Sequence, residues 1–324
     1  MTVLEAIQKS ADFLAKKGVE SPRLQTELLL AHLLKLPRMK LYLSFERTLA
    51  AAEMDALREL VKRRGQREPL QHITGSTSFC GLEIVVNRHA LVPRPETELL
   101  AECGWEFLDW EGRRVGAPNS GMAARHPSQA DIPMALDFGT GTGCIAITLA
   151  VKCPAAKIKA ADISPDALAL AKENAARNGV AEQIEFLKGD GFAALDSTWE
   201  GRRVGDPNSG TAARRPSQFD LIISNPPYIP SAAIATLQPE VRDFDPRSAL
   251  DGGADGLNYY RLFASRSAAF LKPDGKVMLE FGDGQVEAVR QIFENEKWIV
   301  EAVREDYSHR PRILIVKSSS SSSS

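Results

Sequence analysis

One stretch constrains this chain more than any other. The apolar run Met134-Ala135-Leu136-Asp137-Phe138 passes directly into Gly139-Thr140-Gly141-Thr142-Gly143 and then into a helical pattern, 144–151. A strand that turns on three glycines into a helix is the opening unit of a doubly wound α/β sheet. The alternation continues downstream. KIKAADI, IEFLKGD, FDLIISN and GKVMLEF read as strands, and 165–178, 257–271 and 286–294 read as helices. WIVEAV and RILIV close the chain with no helix between them, which predicts an antiparallel hairpin at the sheet edge. Glycines permit positive φ and let a ligand approach the backbone. Asp162 ends the next strand about twenty residues after the turn, where a carboxylate can take ribose hydroxyls. An adenosine-bearing ligand is expected. A dinucleotide fits less well: the frame from Gly139 puts Cys144 where G-x-G-x-x-G needs its last glycine, and the frame from Gly141 gives only the weaker form ending at Ala146.

The first seventy residues lack strand signals. Val3, Leu4, Ile7, Ala11 and Leu14 recur at helical spacing, and Gly18 stops the run. Ser21-Pro22 is expected to cap and start a second helix that Pro37 ends, and a third pattern runs from Ala50 to Gly65. This predicts a small helical bundle over 1–70. Residues 71–76 and 82–86, around Gly81, read as a β-hairpin connector over 71–90. The α/β domain then covers 91–317, opening on Val92-Pro93-Arg94-Pro95-Glu96-Thr97-Glu98, where proline and acids suit a helix N-terminus. Residues 318–324 are a serine run and are expected to be disordered.

Two segments, 110–129 and 199–218, are nearly identical and differ at three positions. Both are rich in Gly, Pro, Ser and Arg without apolar periodicity, so each reads as an inserted loop. Each precedes a predicted central strand and so belongs at the strands' amino ends, away from the ligand side. Lengthening a surface loop is mild, about 0.6 kcal/mol per doubling, so a tolerated duplication is the favoured reading. Basic arms that touch RNA or a ribosomal partner are the alternative.

The 324 residues, 44% hydrophobic, suffice for two domains with real cores. A net charge of −2 argues against wrapping duplex nucleic acid. Cys80, Cys103, Cys144 and Cys153 form no C-x-x-C pair, and neither they nor the scattered histidines show metal spacing, so no metal is expected. With no export-like N-terminus and no apolar run near ~18 residues, a cytoplasmic protein without membrane contact is expected.

The chemistry centres on Ser224-Asn225-Pro226-Pro227-Tyr228, at the carboxyl end of FDLIIS. Two prolines fix φ and remove backbone donors. The Asn225 side-chain oxygen and the Pro226 carbonyl can then accept both hydrogens of a planar NH₂ group, while Tyr228 stacks on its face. Such a nitrogen is a poor nucleophile because its lone pair is delocalised. Accepting both N–H bonds favours the tetrahedral nitrogen that develops in attack. Asp190, in LKGD, suits an adenine edge; Gly191 follows it, and Phe192 could pack on the ring.

The D-x-G-x-G-x-G form resembles the first motif of S-adenosyl-L-methionine-dependent methyltransferases. Together, LDFGTGTG, NPPY, VPRPETE and DPRSALDGGADGL resemble the HemK-like family, the peptide chain release factor glutamine methyltransferases, along nearly the whole chain outside the two insertions and the serine tail. The resemblance implies a Rossmann-like class I methyltransferase sheet. It implies that Gly139, Thr140, Gly141, Thr142 and Gly143 hold the methionine part of the cofactor, Asp162 the ribose, and Asp190 and Gly191 the adenine border. Asn225, Pro226, Pro227 and Tyr228 would bind the substrate glutamine, with Asn225, Pro226 and Tyr228 catalytic and Asn225 also beside the reactive methyl. The helical domain would grip a release factor whose loop carries Gly-Gly-Gln, and methylation would tune termination. A monomer is expected, with nucleic acid not the direct substrate. An adenine N6-methyltransferase is the second reading, because NPPY is shared with enzymes that act on that amine. A non-catalytic binding protein is the third.

Overall fold

The computed structural model describes residues 1–116, 132–190, 192–195 and 219–319. Most of both near-identical segments, the serine tail beyond 319 and Gly191 lie outside the described residues. The chain divides into two compact units: Met1–Thr77 with Val86–Arg88 and Thr236–Asp245, and the remainder.

The helical unit contains α1 (Val3–Lys16), α2 (Pro22–Leu34), α3 (Arg38–Leu41), α4 (Ala51–Gly65) and α5 (Leu70–Thr74). Thr2-x-x-Glu5 forms a capping box on α1: the Glu5 amide donates to Thr2 Oγ1 (3.2 Å) and the Thr2 amide to Glu5 Oε2 (2.9 Å). Ile7, Leu14, Leu29, Leu30, Leu41 and Leu57 form its core. Two expectations fail locally. Ser21 does sit at the N-cap of the helix that Pro22 opens, but it is left-handed (φ 47°) and its side chain makes no cap bond. Residues 71–74 are helical, not extended, because Pro69 starts a single turn and Gly75, at φ 83°, ends it. The hairpin's first strand is instead β1 (Ser76–Phe79), paired with β2 (Leu82–Val85).

Residues 236–245, which follow the NPPY turn in sequence, belong to the helical unit. Glu240 holds them there, taking bonds from Arg64 Nη2 (2.7 Å), Arg67 Nε (2.7 Å) and Arg67 Nη2 (2.6 Å). Burial alone raises the Glu240 pKa, but the two guanidinium groups outweigh it and hold the carboxyl below its ordinary value.

In the α/β unit, α6 (Pro95–Gly116) leads to β3 (Met134–Phe138), α7 (Cys144–Lys152), β4 (Lys157–Asp162), α8 (Pro165–Arg177), β5 (Ile184–Lys188) and β6 (Phe219–Ser224). Then come α9 (Asn258–Arg266), β7 (Leu271–Glu280), α10 (Val286–Asn295), β8 (Trp298–Glu305) and β9 (Pro311–Ser318). Helix α6 runs through the first seven residues of the 110–129 segment, where a loop was expected. Glu111, Arg113 and Arg114 are good helix formers, and Gly116 is the last described residue of the run. The sheet order is β5-β4-β3-β6-β7-β9-β8. The strands from β5 to β7 are parallel, and β9 and β8 are antiparallel, as the closing pair of strands predicted. This is the doubly wound, class I methyltransferase sheet. The chain leaves β3 toward β4 on one side and returns to β6 on the other, so the switch point lies between β3 and β6.

Candidate active site

A cavity opens at the carboxyl ends of β3, β4 and β6, all within the α/β unit. It is lined by the Gly139–Thr142 turn, Asp162, Asp190, and Ser224 to Pro227. Ser224 Oγ donates to the Phe138 carbonyl at 2.6 Å, fully buried, and so clamps the start of the NPPY turn to the start of the glycine turn.

The glycine turn is tied down mainly by the end of β4. The Gly139 and Thr140 amides donate to the Ala161 carbonyl (2.8 and 3.0 Å) and Gly143 to the Thr140 carbonyl (2.8 Å). The Gly141 amide donates to Asp162 Oδ2 at 2.9 Å. Gly139, Gly141 and Gly143 all have positive φ, which their lack of Cβ permits. Beneath the turn, Asp137 is wholly buried. Its Oδ2 accepts from Thr140 Oγ1 (2.6 Å) and the Ala146 amide (3.1 Å), while Oδ1 has no partner. Burial pushes its pKa to about 7 against those two bonds.

A phosphate cradle needs amides pointing at the ligand. Here four turn amides are already spent, and the cavity is lined by two carboxylates, Asp162 and Asp190, as well as by Arg94 and His89. The spent amides leave the turn with little to offer a pyrophosphate, and the two carboxylates can take hydroxyls and positive charge. S-adenosyl-L-methionine, with a sulfonium, an ammonium and a ribose diol, fits this lining.

The residues around Asp190 differ from expectation. Phe192 is 1% exposed, stacked on Phe270 (5.0 Å between centroids, 14°) and near Phe138 (5.1 Å), so it belongs to the core and not to the cavity. Ile163 and Tyr259 line the cavity on its apolar side, together with Leu91, Phe138 and Ile145. Ile163 is 57% exposed directly after the strand-ending Asp162, an apolar residue outside any core periodicity, and that was its signal in the sequence.

In the NPPY turn, Asn225, Pro226 and Pro227 line the cavity, whereas Tyr228 does not. Tyr228 packs beside Gly282 and against the main core, and burial, then the nearby Glu280, pushes its hydroxyl up to about 12. Its carbonyl accepts from Gln285 Nε2 (3.0 Å). A Cβ on Gly252 would lie 2.8 Å from the Pro227 carbonyl oxygen, so the glycine-rich 252–256 segment serves as close packing for this turn. Asp251 and Asp255 are spent on Ser231, Gly253, Arg247 and Arg261.

Two residues escaped the sequence reading. Asn225 Nδ2 donates to Thr97 Oγ1 (2.9 Å), and Thr97 Oγ1 donates to Glu280 Oε2 (2.7 Å). Glu280 is 2% exposed at the end of β7, and burial, against the Thr97 bond, pushes its pKa to about 7. A charged residue inside the apolar run VMLEF was the available signal.

Residues 5–75 match the PrmC N-terminal domain, and residues 134–308 match a methyltransferase domain. A release factor glutamine methyltransferase of Geobacter sulfurreducens is 41% identical over 90% of this chain and 88% of its own. One of Chlorobaculum tepidum is 40% identical over 97% and 96%, and one of Moorella thermoacetica 35% over 97% and 98%. Likeness of that extent, over nearly the whole of each chain, places this chain in the release factor glutamine methyltransferase family.

Proposed function

We propose that this protein transfers a methyl group from S-adenosyl-L-methionine to the side-chain nitrogen of the glutamine in the Gly-Gly-Gln loop of peptide chain release factors. The observation that carries the reading is the Ser224–Phe138 clamp, which sets an NH₂-accepting turn beside the glycine turn. When bound, the cofactor supplies an electrophilic methyl on a sulfonium.

The chain's own residues do the rest. Gly139 to Gly143 hold the methionine end, Asp162 the ribose, and Asp190 with Gly191 the adenine border, with Ile163 and Tyr259 as the apolar groups that replace Phe192. The Asn225 oxygen and the Pro226 carbonyl accept the two N–H bonds of the substrate amide. This aims its nitrogen and favours the tetrahedral form. No strong base is required, because the methylated nitrogen is acidic enough to lose its proton to water. Tyr228 supports the turn from behind rather than by stacking on the substrate. The helical domain, 1–70, grips the release factor. The protein works as a cytoplasmic monomer on protein and not on nucleic acid. Adenine presents the same planar amine, but the relatives at 35–41% identity are named for glutamine.

The test is mass spectrometry of a purified release factor after incubation with the protein and S-adenosyl-L-methionine, with adenine-containing duplex and single-stranded DNA alongside. One methyl on the Gly-Gly-Gln glutamine, lost in Asn225→Ala, is expected. Methyl on adenine alone overturns the substrate assignment.

A further inference from the structure

We propose that Thr97 and Glu280 are positioning residues that fix which way round the Asn225 amide sits, so that its oxygen and not its nitrogen meets the substrate's NH₂ group. The inference rests on the site being one that binds an NH₂ group, as read above.

A side-chain amide can rotate by half a turn and exchange its acceptor for its two donors. In the NPPY turn that exchange is fatal, since an Asn225 nitrogen facing the substrate nitrogen sets donor against donor. Nothing in the turn itself prevents it. The restraint comes from behind. An ionised carboxylate only accepts, so Glu280 claims the single hydroxyl proton of Thr97 at 2.7 Å. The Thr97 oxygen can then only accept from Asn225, and the 2.9 Å contact is made by Nδ2. The Asn225 oxygen is left to the other side of the amide. Thr97 is 3% exposed and Glu280 2%, so water does not compete for these bonds. The relay joins the first turn of α6, the loop after β6 and the end of β7, none of them adjacent in sequence.

Protonation of Glu280 removes the restraint. A carboxylic acid can donate to Thr97, which can then donate to the Asn225 oxygen, and the whole relay reverses. The charged and titratable groups around Glu280 are Glu96, which raises its pKa, Arg312 and Arg94, which lower it, and Tyr228. The Tyr260 hydroxyl donates to its backbone carbonyl (3.0 Å).

The experiment measures steady-state methylation of a release factor and, separately, cofactor affinity by calorimetry, for the full chain and its variants. Thr97→Val is expected to lower kcat by about 10²-fold, the scale of one lost preorganised hydrogen bond, with cofactor affinity within about threefold. Thr97→Ser, which keeps the hydroxyl, restores the rate. Glu280→Gln can present either group to Thr97; it lowers kcat and loses the rise of rate with pH. The third readout needs no substrate. The Asn225 side-chain ¹⁵N–¹H signals, assigned by their absence in Asn225→Ala, should shift with Glu280 ionisation in wild type and not in Glu280→Gln. A Thr97→Val enzyme with wild-type kcat overturns the proposal, as does a cofactor affinity that falls in step with the rate. If Thr97→Val does not fold, Glu280→Gln and the amide signals decide. If wild type methylates no glutamine, the substrate reading falls and the amide signals alone score the relay.

Discussion

Each of the two functional turns rests on a buried carboxylate, and the two carboxylates are built differently. Asp137 under the glycine turn and Glu280 behind the NPPY turn are both pushed up to about 7, with burial the largest cause for each. Asp137 reaches partners three and nine residues away. Glu280 reaches Thr97 across 183 residues, and Thr97 reaches Asn225 across 128. The first carboxylate staples a local turn together. The second transmits an orientation between elements that only the completed fold brings into contact. Changes at Asp137 should therefore register as lost folding and cofactor binding, and changes at Glu280 as lost turnover.

The largest effect expected on that contrast comes from Asp137→Ala. It leaves the Thr140 hydroxyl and the Ala146 amide unpaired in the core, a loss of about 3 kcal/mol or more of stability. Urea unfolding and cofactor titration should both register it. A variant that unfolds at the wild-type urea concentration would show that the turn holds itself without the carboxylate.

Next comes pH. Glu280 must be ionised for the relay to hold, so turnover should rise through about pH 7 and level off above it, falling about tenfold per unit on the acid side. Glu280→Gln should flatten the limb and Asp137→Asn should leave it. A limb that survives in Glu280→Gln belongs to some other group and breaks the assignment.

The same division explains what could be read in the sequence. The strand and helix alternation, the glycine turn with Asp137, and the NPPY turn are runs of adjacent residues with a period or a motif, so they were legible. Phe192 was misplaced because its position beside Asp190 suggested a ligand, whereas its neighbours Phe138, Phe263 and Phe270 come from elsewhere in the chain. Thr97 read as one residue of a helix start, and its partners are far along the chain. The helical turn at 71–74 was missed because its Pro and Gly bounds are equally at home in a hairpin.

A smaller, sharper test lies within the glycine turn. Gly139 and Gly143 have similar φ, 72° and 82°, but a Cβ on Gly139 meets nothing within 4 Å, whereas one on Gly143 comes 3.0 Å from Ala171 Cβ and 3.2 Å from its Cα. Alanine at 139 should cost only left-handed strain, about 1–2 kcal/mol. Alanine at 143 should add overpacking against α8, about 1–3 kcal/mol more. Equal losses in thermal unfolding would mean that α8 gives way and that the turn is less tightly stapled than Asp137 implies.

The smallest expected effect is the most demanding of the comparison. Neither carboxylate is among the groups that shift the other: Asp137 feels Asp162, and Glu280 feels Glu96, Arg312 and Arg94. Both folded-state pKa values lie above the ordinary 3.8 and 4.5, so the folded protein holds protons that the unfolded chain releases. Each carboxyl's contribution to stability is therefore full below its ordinary pKa and is lost as pH rises toward about 7. Asp137→Asn and Glu280→Gln should each remove one share of that decline. If the two turns are separate devices, the double variant should remove the sum, with a coupling under about 0.5 kcal/mol in a double-mutant cycle. A coupling of 1 kcal/mol or more would mean that the Ser224–Phe138 clamp carries energy as well as geometry between the two turns, and that cofactor and substrate sites stiffen together.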